Sequence, residues 1–491
     1  MCGIVGYVGE KDSATILVEG LRKLEYRGYD SSGVAIFEAN EIKVVKAKGR
    51  LDALEEKMRC SYRPKGTCGI GHTRWATHGE PSDVNSHPHG SGVLSVVHNG
   101  IIENYLELKA KLIHKGYVFV SETDTETVSK MLDYYYKGNP FDAIKKVIAV
   151  VKGSYALGII FKDFPNQIYA VRKDSPLVIG LGENENFIAS DIPAILKYTK
   201  NYYLIDENEI ATITKNNVSI TNLDQEPVCK EIFTADWDVE AAEKGGYPHF
   251  MLKEIFEQPE ALRKTISPRI KNGLPDLSVD TLTDDILNNL QKIHIVACGT
   301  AMHAGMIGKT VIEKLCRVQT DCCIASEFRY CNPILNKNDL VVIISQSGET
   351  ADTLAALRLA KQRGVHTLAI VNVVGSSIAR EADSVIYTWA GPEIAVASTK
   401  AYIVQMSMMY LLALKLAMIK QSLSIQEVEE YCNTLQSLPE KMEGILAHSD
   451  DCKYFASRFQ NANDLFFIGR GLDYALSQEG SLKLKEISYI H

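Results

Sequence analysis

The chain has 491 residues, 46% of them apolar and 23% charged, which excludes a largely disordered protein and, by ordinary domain size, predicts about three compact units. Its net charge of -8 gives no general attraction for nucleic acid or an anionic membrane, so an anionic ligand has to be held by a local site and small substrates are favoured over polyanions.

Residues 1–225 are dominated by short strand-like runs, among them GIVGYVG, VLSVVHN, SYALGIIF and EIATIT. Their period-two alternation, with hairpin breaks at Ala39-Asn40 and Lys215-Asn216-Asn217, predicts antiparallel sheets. Two helices are predicted within them, near 13–24 with Ser13 as N-cap and near 124–137. Residues 226–290 turn charged and helical through DWDVEAAEKGG and MLKEIFEQPEALRKTI and read as a linker with leading helices. From 291 to 425 the pattern is apolar strand, Gly or Ser loop, then helix, as in IHIVACGTAMHAGMIGKTVIEKL and LVVIISQSGETADTLAALRLAKQRG, which predicts a parallel, doubly wound sheet.

The stretch AYIVQMSMMYLLALKLAMI has the length of a membrane span, but it holds Gln405, Ser407 and Lys415 between Lys400 and Lys420, as a buried core helix would. In 426–491, after helical spacers, LFFIGRGLDYALSQEGSLKLKEIS repeats the strand, Gly turn and helix order of IHIVACGTAMHAGMIGKTVIEKL. This points to an internal duplication whose second copy is too short to build a sheet covered on both faces. The eleven cysteines form no CxxC pair and no zinc spacing, and the start MCGIVGYVGE has no basic n-region. These features predict a reducing, cytoplasmic setting with no metal or cofactor.

Removal of Met1 would leave Cys2 with a free α-amine, which titrates near ~8, close to the thiol near ~8.5, so that one residue holds both nucleophile and base. GHTRWATHGEP follows an apolar strand and supplies Arg74, whose fork suits an amino-acid carboxylate, with Trp75, Thr77 and His78. VVHNGIIEN puts Asn99 and Gly100 at a strand end, where an amide and a backbone N–H can stabilise an oxyanion, and SETDTE offers Asp124 to an α-ammonium. Singly, each has an ordinary reading: a buried small Cys, an Arg in an ion pair, a His in a polar turn, an Asn-Gly turn, an Asp at a helix start.

Together these motifs resemble the N-terminal-nucleophile glutamine amidotransferase domain over residues 2 to about 240. The resemblance implies an α+β sandwich in which Cys2 forms the γ-glutamyl thioester, Asn99 and Gly100 make the oxyanion hole, and Arg74, Thr77, His78 and Asp124 hold glutamine. Arg27, in LEYRGYDSSG, is implied as structural support.

SQSGET follows the strand LVVII and opens a helix, so that Ser345, Gln346, Ser347 and Thr350 can converge with helix N–H groups on a phosphate, although a capped turn has the same look. ACGTA at 297–301 and VASTK at 396–400 add two further polar loops after apolar segments. All three resemble the sugar isomerase domain. The whole chain, a glutaminase domain followed by α/β doubly wound sugar isomerase domains of which the second is incomplete, resembles the isomerising glutamine:fructose-6-phosphate aminotransferase family.

That resemblance implies L-glutamine and fructose 6-phosphate as substrates, a homodimer, and synthesis of glucosamine 6-phosphate at the head of the hexosamine (UDP-N-acetylglucosamine) route. It implies that Thr300, Ser345, Gln346, Ser347 and Thr350 bind the phosphate and sugar end, with Val396 and Ser398 lining the sugar. Ala301 stands where the family often has Ser. Glu486 is implied as the base between C1 and C2, Lys483 as its cationic neighbour and Trp75 as the gate of an ammonia passage. The family's ring-opening His and Schiff-base Lys would lie beyond His491, so a sugar-phosphate sensor with residual glutaminase is the alternative. Amidotransfer to phosphoribosyl pyrophosphate is disfavoured because no acidic pyrophosphate loop is found.

Overall fold

The computed structural model describes residues 2–235, 244–278 and 280–491, apart from the side chain of Arg27. The chain divides into two compact units, 1–242 and 243–491, against about three expected from length. Residues 426–491 carry no sheet of their own, and the apolar faces of their helices join the second unit's core through Val428, Cys432, Leu435 and Ala475.

In the first unit the apolar run Gly3–Val8 is buried at every position and pairs antiparallel with Cys68–Arg74 on one side and Asn186–Ala189 on the other. It lies inside an eight-stranded sheet that faces a six-stranded one through Ile4, Val8, Ile70, Val97, Ala156 and Ile188. A central strand closed on both faces has no reason to alternate, which explains its unbroken apolar sequence. Helices Ser13–Leu24 and Leu51–Cys60 cover the first sheet. Tyr105–His114, Asp124–Tyr135 and Pro140–Ile148 cover the second, completing four layers.

Three of these five helices lie outside the two predicted from sequence. Their apolar faces are short, such as Leu51, Leu54 and Met58, or Leu108 and Leu112, and the flanking strand patterns masked them. The first helix is capped by Asp12, whose carboxylate accepts from Thr15 N–H at 3.1 Å, while Ser13 donates to Gly66 O at 2.8 Å. A carboxylate takes the cap because its charge also suits the helix dipole. The Ala39-Asn40 hairpin is as predicted, a two-residue turn with both φ positive.

In the second unit, helices Phe250–Phe256 and Gln258–Ile266 and the segment after them contribute Leu262, Ile266, Leu277 and Leu287 to the core. Residues 236–243 of the predicted helical linker lie outside the described residues. Arg269, 1% exposed, fixes this segment: it grips Asp280 through Nε at 2.8 Å and Nη2 at 2.7 Å, and donates to Tyr387 O at 2.7 Å.

The sheet is wholly parallel, in the spatial order Gln319–Ile324, Lys292–Ala297, Asp339–Ser345, His366–Val371, Ser384–Tyr387. The chain therefore leaves Lys292–Ala297 toward one edge and Asp339–Ser345 toward the other. A crevice opens between their C-terminal ends at this reversal, the usual ligand position in such sheets. Helix Lys400–Lys420 is long and apolar enough to cross a membrane, yet 67% of its apolar window is buried in this unit, where it packs on Gly299–Cys316.

The predicted strand in LFFIGRG does not form: 465–471 carries no strand, and Phe466 and Ile468 are 91% and 89% exposed. The following helix, Leu472–Ser488, does form. A helix satisfies its backbone internally, whereas a strand requires a neighbour.

Candidate active sites

The first site begins at Cys2. The register Gly3↔Thr73 continues to place Cys2 opposite Arg74, and Trp75 N–H donates to Cys2 Sγ at 3.2 Å while the thiol faces Trp75 O at 3.5 Å. Burial pushes the Cys2 thiol above its ordinary value; the Trp75 N–H opposes that shift, Asp30 adds to it, and Arg74 opposes it. A neutral thiol needs a base within reach at the moment of attack.

Asn99 Nδ2 donates to Cys2 O at 3.0 Å, and its Oδ1 lies 3.0 Å from His72 Nε2. Gly100 follows with φ +127°, and a Cβ there would stand 2.1 Å from Ser154 O. Only glycine fits this backbone; the strand does not end at Asn99-Gly100 as predicted but runs from Leu94 to Ile102, with Gly100 opposite Tyr155, because pairing with Gly153–Phe161 continues through it. Asp124, 4% exposed at the first position of its helix, accepts from Ile102 N–H at 2.9 Å, tying that helix to the strand that carries Asn99.

Arg74 is 3% exposed and gathers the loop around itself, donating to His78 O and to Gly79 O at 3.0 Å. Thr77 Oγ1 is 3.2 Å from His78 Nδ1, and the His78 ring meets Tyr105 edge-on at 5.1 Å. Trp75 is 41% exposed, edge-on to Tyr29 at 5.3 Å. Cys2, Arg74, Trp75 and Asn99 are thus brought together directly, whereas Thr77, His78 and Asp124 are joined to them through the loop and the strand. Asp30 was missed from sequence: its carboxylate accepts from Ala76 N–H and its own N–H donates to Arg74 O at 3.1 Å. The signal was an Asp directly before a strand in LEYRGYDSSG.

The second site lies at the sheet reversal. Ser345 ends its strand 4% exposed; its Oγ accepts from Gly348 N–H at 3.0 Å and sits 3.2 Å from Thr350 Oγ1. Gly348 holds φ +65°, with Ser376 Oγ 2.0 Å from where a Cβ would be, and Ser347 Oγ accepts from Glu349 N–H at 3.2 Å. The carbonyl of Gln346 accepts from Asn372 N–H at 3.2 Å. Thr350 is the N-cap residue of helix Ala351–Gln362, so the loop gathers hydroxyls at the positive end of a helix, as an anion site requires.

Thr300 opens the neighbouring helix, and its hydroxyl donates to Glu479 Oε1 at 3.0 Å. Glu479 is 4% exposed, accepts from His303 at 2.7 Å and lies 3.5 Å from Lys483, which pairs with Glu486 at 2.5 Å. One chain of polar contacts therefore links Thr300 to Lys483 and Glu486. Glu479 was missed, although positions 479, 483 and 486 share a helix face by their spacing. Ser398 donates to Glu393 at 2.8 Å, and Val396 is 70% exposed; among the described residues no hydrogen bond joins either of them to Ser345–Thr350.

Models of two families fall on the two sites: a glutamine amidotransferase domain over residues 72–197 and a SIS domain over 286–415. Fold and sites thus define an amidotransferase domain coupled to a sugar isomerase domain. Over 495 aligned residues the chain is 56% identical to glutamine–fructose-6-phosphate aminotransferase (isomerizing) of Caldanaerobacter subterraneus subsp. tengcongensis, covering all of this chain and 81% of that protein. It is 44% identical to the enzyme of the same name from Thermus thermophilus, with the same coverage. A solved C-terminal domain of glucosamine-fructose-6-phosphate aminotransferase from Francisella tularensis aligns at 42% identity with TM-score 0.50, over 51% of this chain and 70% of that one. The chain belongs to the family of isomerizing glutamine–fructose-6-phosphate aminotransferases.

Proposed function

We propose that this protein releases ammonia from L-glutamine at Cys2 and transfers it to fructose 6-phosphate, giving glucosamine 6-phosphate. The observation that supports this most is the packing of Cys2 against Trp75 N–H and the Asn99 amide. Once Met1 is removed, the Cys2 α-amine takes the thiol proton as Sγ attacks the side-chain amide carbon, and the same amine then gives that proton to the amide nitrogen, which leaves as NH3 when the C–N bond breaks. Asn99 Nδ2 and Gly100 N–H receive the developing oxyanion, and water then releases glutamate from the thioester. Arg74 serves the substrate carboxylate, Asp124 its ammonium, and Thr77 and His78 close the loop over it.

In the second unit Ser345, Gln346, Ser347, Thr350 and Thr300 take the phosphate and sugar end, Val396 and Ser398 line the sugar, and Glu486 moves the proton between C1 and C2 beside Lys483. Trp75 gates the path of ammonia, which crosses apolar surroundings only as neutral NH3. We assign 1–225 to the glutaminase, 226–290 to linker and leading helices, 291–425 to the first sugar isomerase domain and 426–491 to the spacer and start of a second. The working form is a cytoplasmic homodimer. The test is direct: with glutamine and fructose 6-phosphate, the purified protein yields glutamate and glucosamine 6-phosphate in equal amounts. Glutamate without amino sugar would instead support a sensor with residual glutaminase.

A further inference from the structure

Asn99 has to present its NH2, not its carbonyl, to the nucleophile side, and an amide has no intrinsic preference between the two. Two backbone carbonyls decide the matter, because a carbonyl can only accept. His72 Nε2 lies 3.0 Å from His98 O, so this nitrogen carries the ring proton. The same N–H faces Asn99 at 3.0 Å, so the amide oxygen has to be on that side. The NH2 then falls toward Cys2 O at 3.0 Å, again an acceptor, and its second hydrogen remains for a substrate oxyanion.

We propose that His72 is a positioning residue of the glutaminase reaction: as a neutral Nε2–H donor it locks the flip of the Asn99 amide that points NH2 at the nucleophile. This rests on the reading of Asn99 as an oxyanion donor. The ring itself has nowhere to turn. His72 is 0% exposed and stacks on His87 at 4.2 Å; His87 in turn meets His89 at 5.1 Å and stacks on His98 at 6.4 Å. His89 and His98 are held by the Thr123 and Thr125 hydroxyls at 3.0 and 2.8 Å. Among the described residues, His72 Nδ1 has no partner, so inverting the tautomer would leave the proton unbonded and set the Nε2 lone pair against His98 O. Burial holds His72 down to about 3 and the other three rings below their ordinary values, so the donor stays neutral across the working pH range.

His72→Phe and His72→Asn both remove the donor at Nε2, the shorter amide being unable to reach, whereas His72→Gln returns an N–H near the same point. We expect glutaminase kcat to fall ten- to a hundredfold in the first two variants with KM within about twofold, and His72→Gln to recover to within about fivefold, against the ~10²–10³-fold cost of losing a whole oxyanion donor. Alkylation of Cys2 by iodoacetamide, which builds no oxyanion, keeps its rate in all three. In an Asn99→Ala background His72→Phe has no further effect on kcat. Equal losses in Phe and Gln variants, alkylation falling with kcat, additive losses in the double variant, or a Phe variant of full activity would each overturn the proposal. If Asn99→Ala itself retains wild-type kcat, it is the reading of Asn99 that fails.

Discussion

The two candidate sites differ in what holds their groups. In the first unit, antiparallel register and a buried stack of histidines fix the donors: Cys2 Sγ accepts from Trp75 N–H, Asn99 donates to Cys2 O, and His72 bonds both Asn99 and His98 O. In the second, polar side chains satisfy one another: Ser345 with Thr350 and Thr300 with Glu479 at the sheet reversal, and Ser398 with Glu393 in the loop before helix Lys400–Lys420. A substrate entering the first site meets donors already aimed, whereas a sugar phosphate entering the second has to exchange partners. Substitutions should therefore act on kcat in the first unit and on affinity in the second.

The largest expected effect separates them outright. Cys2→Ala should reduce glutamate release by at least ~10⁴-fold, the scale seen when a nucleophile is deleted. Fructose 6-phosphate affinity by calorimetry should stay within about twofold. A matching loss of sugar affinity would show the sites to be one system. Next in size is a change away from both sites: Arg269→Met leaves Asp280, 4% exposed on its side chain, as an unpaired buried charge, which costs about 3–5 kcal/mol. In calorimetric melting the transition of the second unit should drop by roughly 10 °C while Cys2 alkylation below that transition is unchanged.

The contrast also governs what the sequence could reveal. The nucleophile, the Asn-Gly pair and SQSGET are contiguous motifs, each next to or within a strand whose apolar run is visible. Their supports are not contiguous. His72 acts on Asn99 across 27 positions and Glu479 on His303 across 176, distances that only the folded register closes. The strand in LFFIG failed for a related reason: IHIVA and LFFIG carry the same local pattern, but only IHIVA has strands on both sides. The helix after each was legible because its hydrogen bonds are local.

Acid–base behaviour sharpens the comparison further. Glu254, 2% exposed, accepts from Ile394 and Ala395 N–H at 2.5 and 3.0 Å, which anchors the loop preceding VASTK. Burial, opposed by those N–H bonds and assisted by Glu393, pushes its carboxyl up to about 7. Since the native state then binds the proton more tightly than the unfolded chain, its ionisation destabilises the second unit. That cost is absent well below the ordinary carboxyl range, grows as pH rises through it, and is complete above about 7. The difference from the ordinary value of 4.5 corresponds to ~3 kcal/mol. Melting of the second unit at pH 5 and pH 8 should show wild type losing more stability than Glu254→Gln. Equal slopes would mean that Glu254 is already ionised at pH 5.

The smallest effect tests the exchange of partners itself. Ser345→Ala removes the acceptor of Gly348 N–H and the neighbour of the Thr350 hydroxyl. If the loop's hydroxyls trade their mutual bonds for phosphate oxygens, the net loss is that of one hydrogen bond to a charged group, about 1.5 kcal/mol, or roughly tenfold in affinity. Thr350→Val should cost a similar amount. Because each hydroxyl is the other's partner in the free loop, either single variant spares the survivor a bond it would have to break, so the double variant should cost more than the two together, a coupling that two independent phosphate contacts would not produce. Titration of fructose 6-phosphate into the four proteins measures it. Strict additivity would show that the two hydroxyls reach the phosphate separately and that the second site, like the first, is aimed before its ligand arrives.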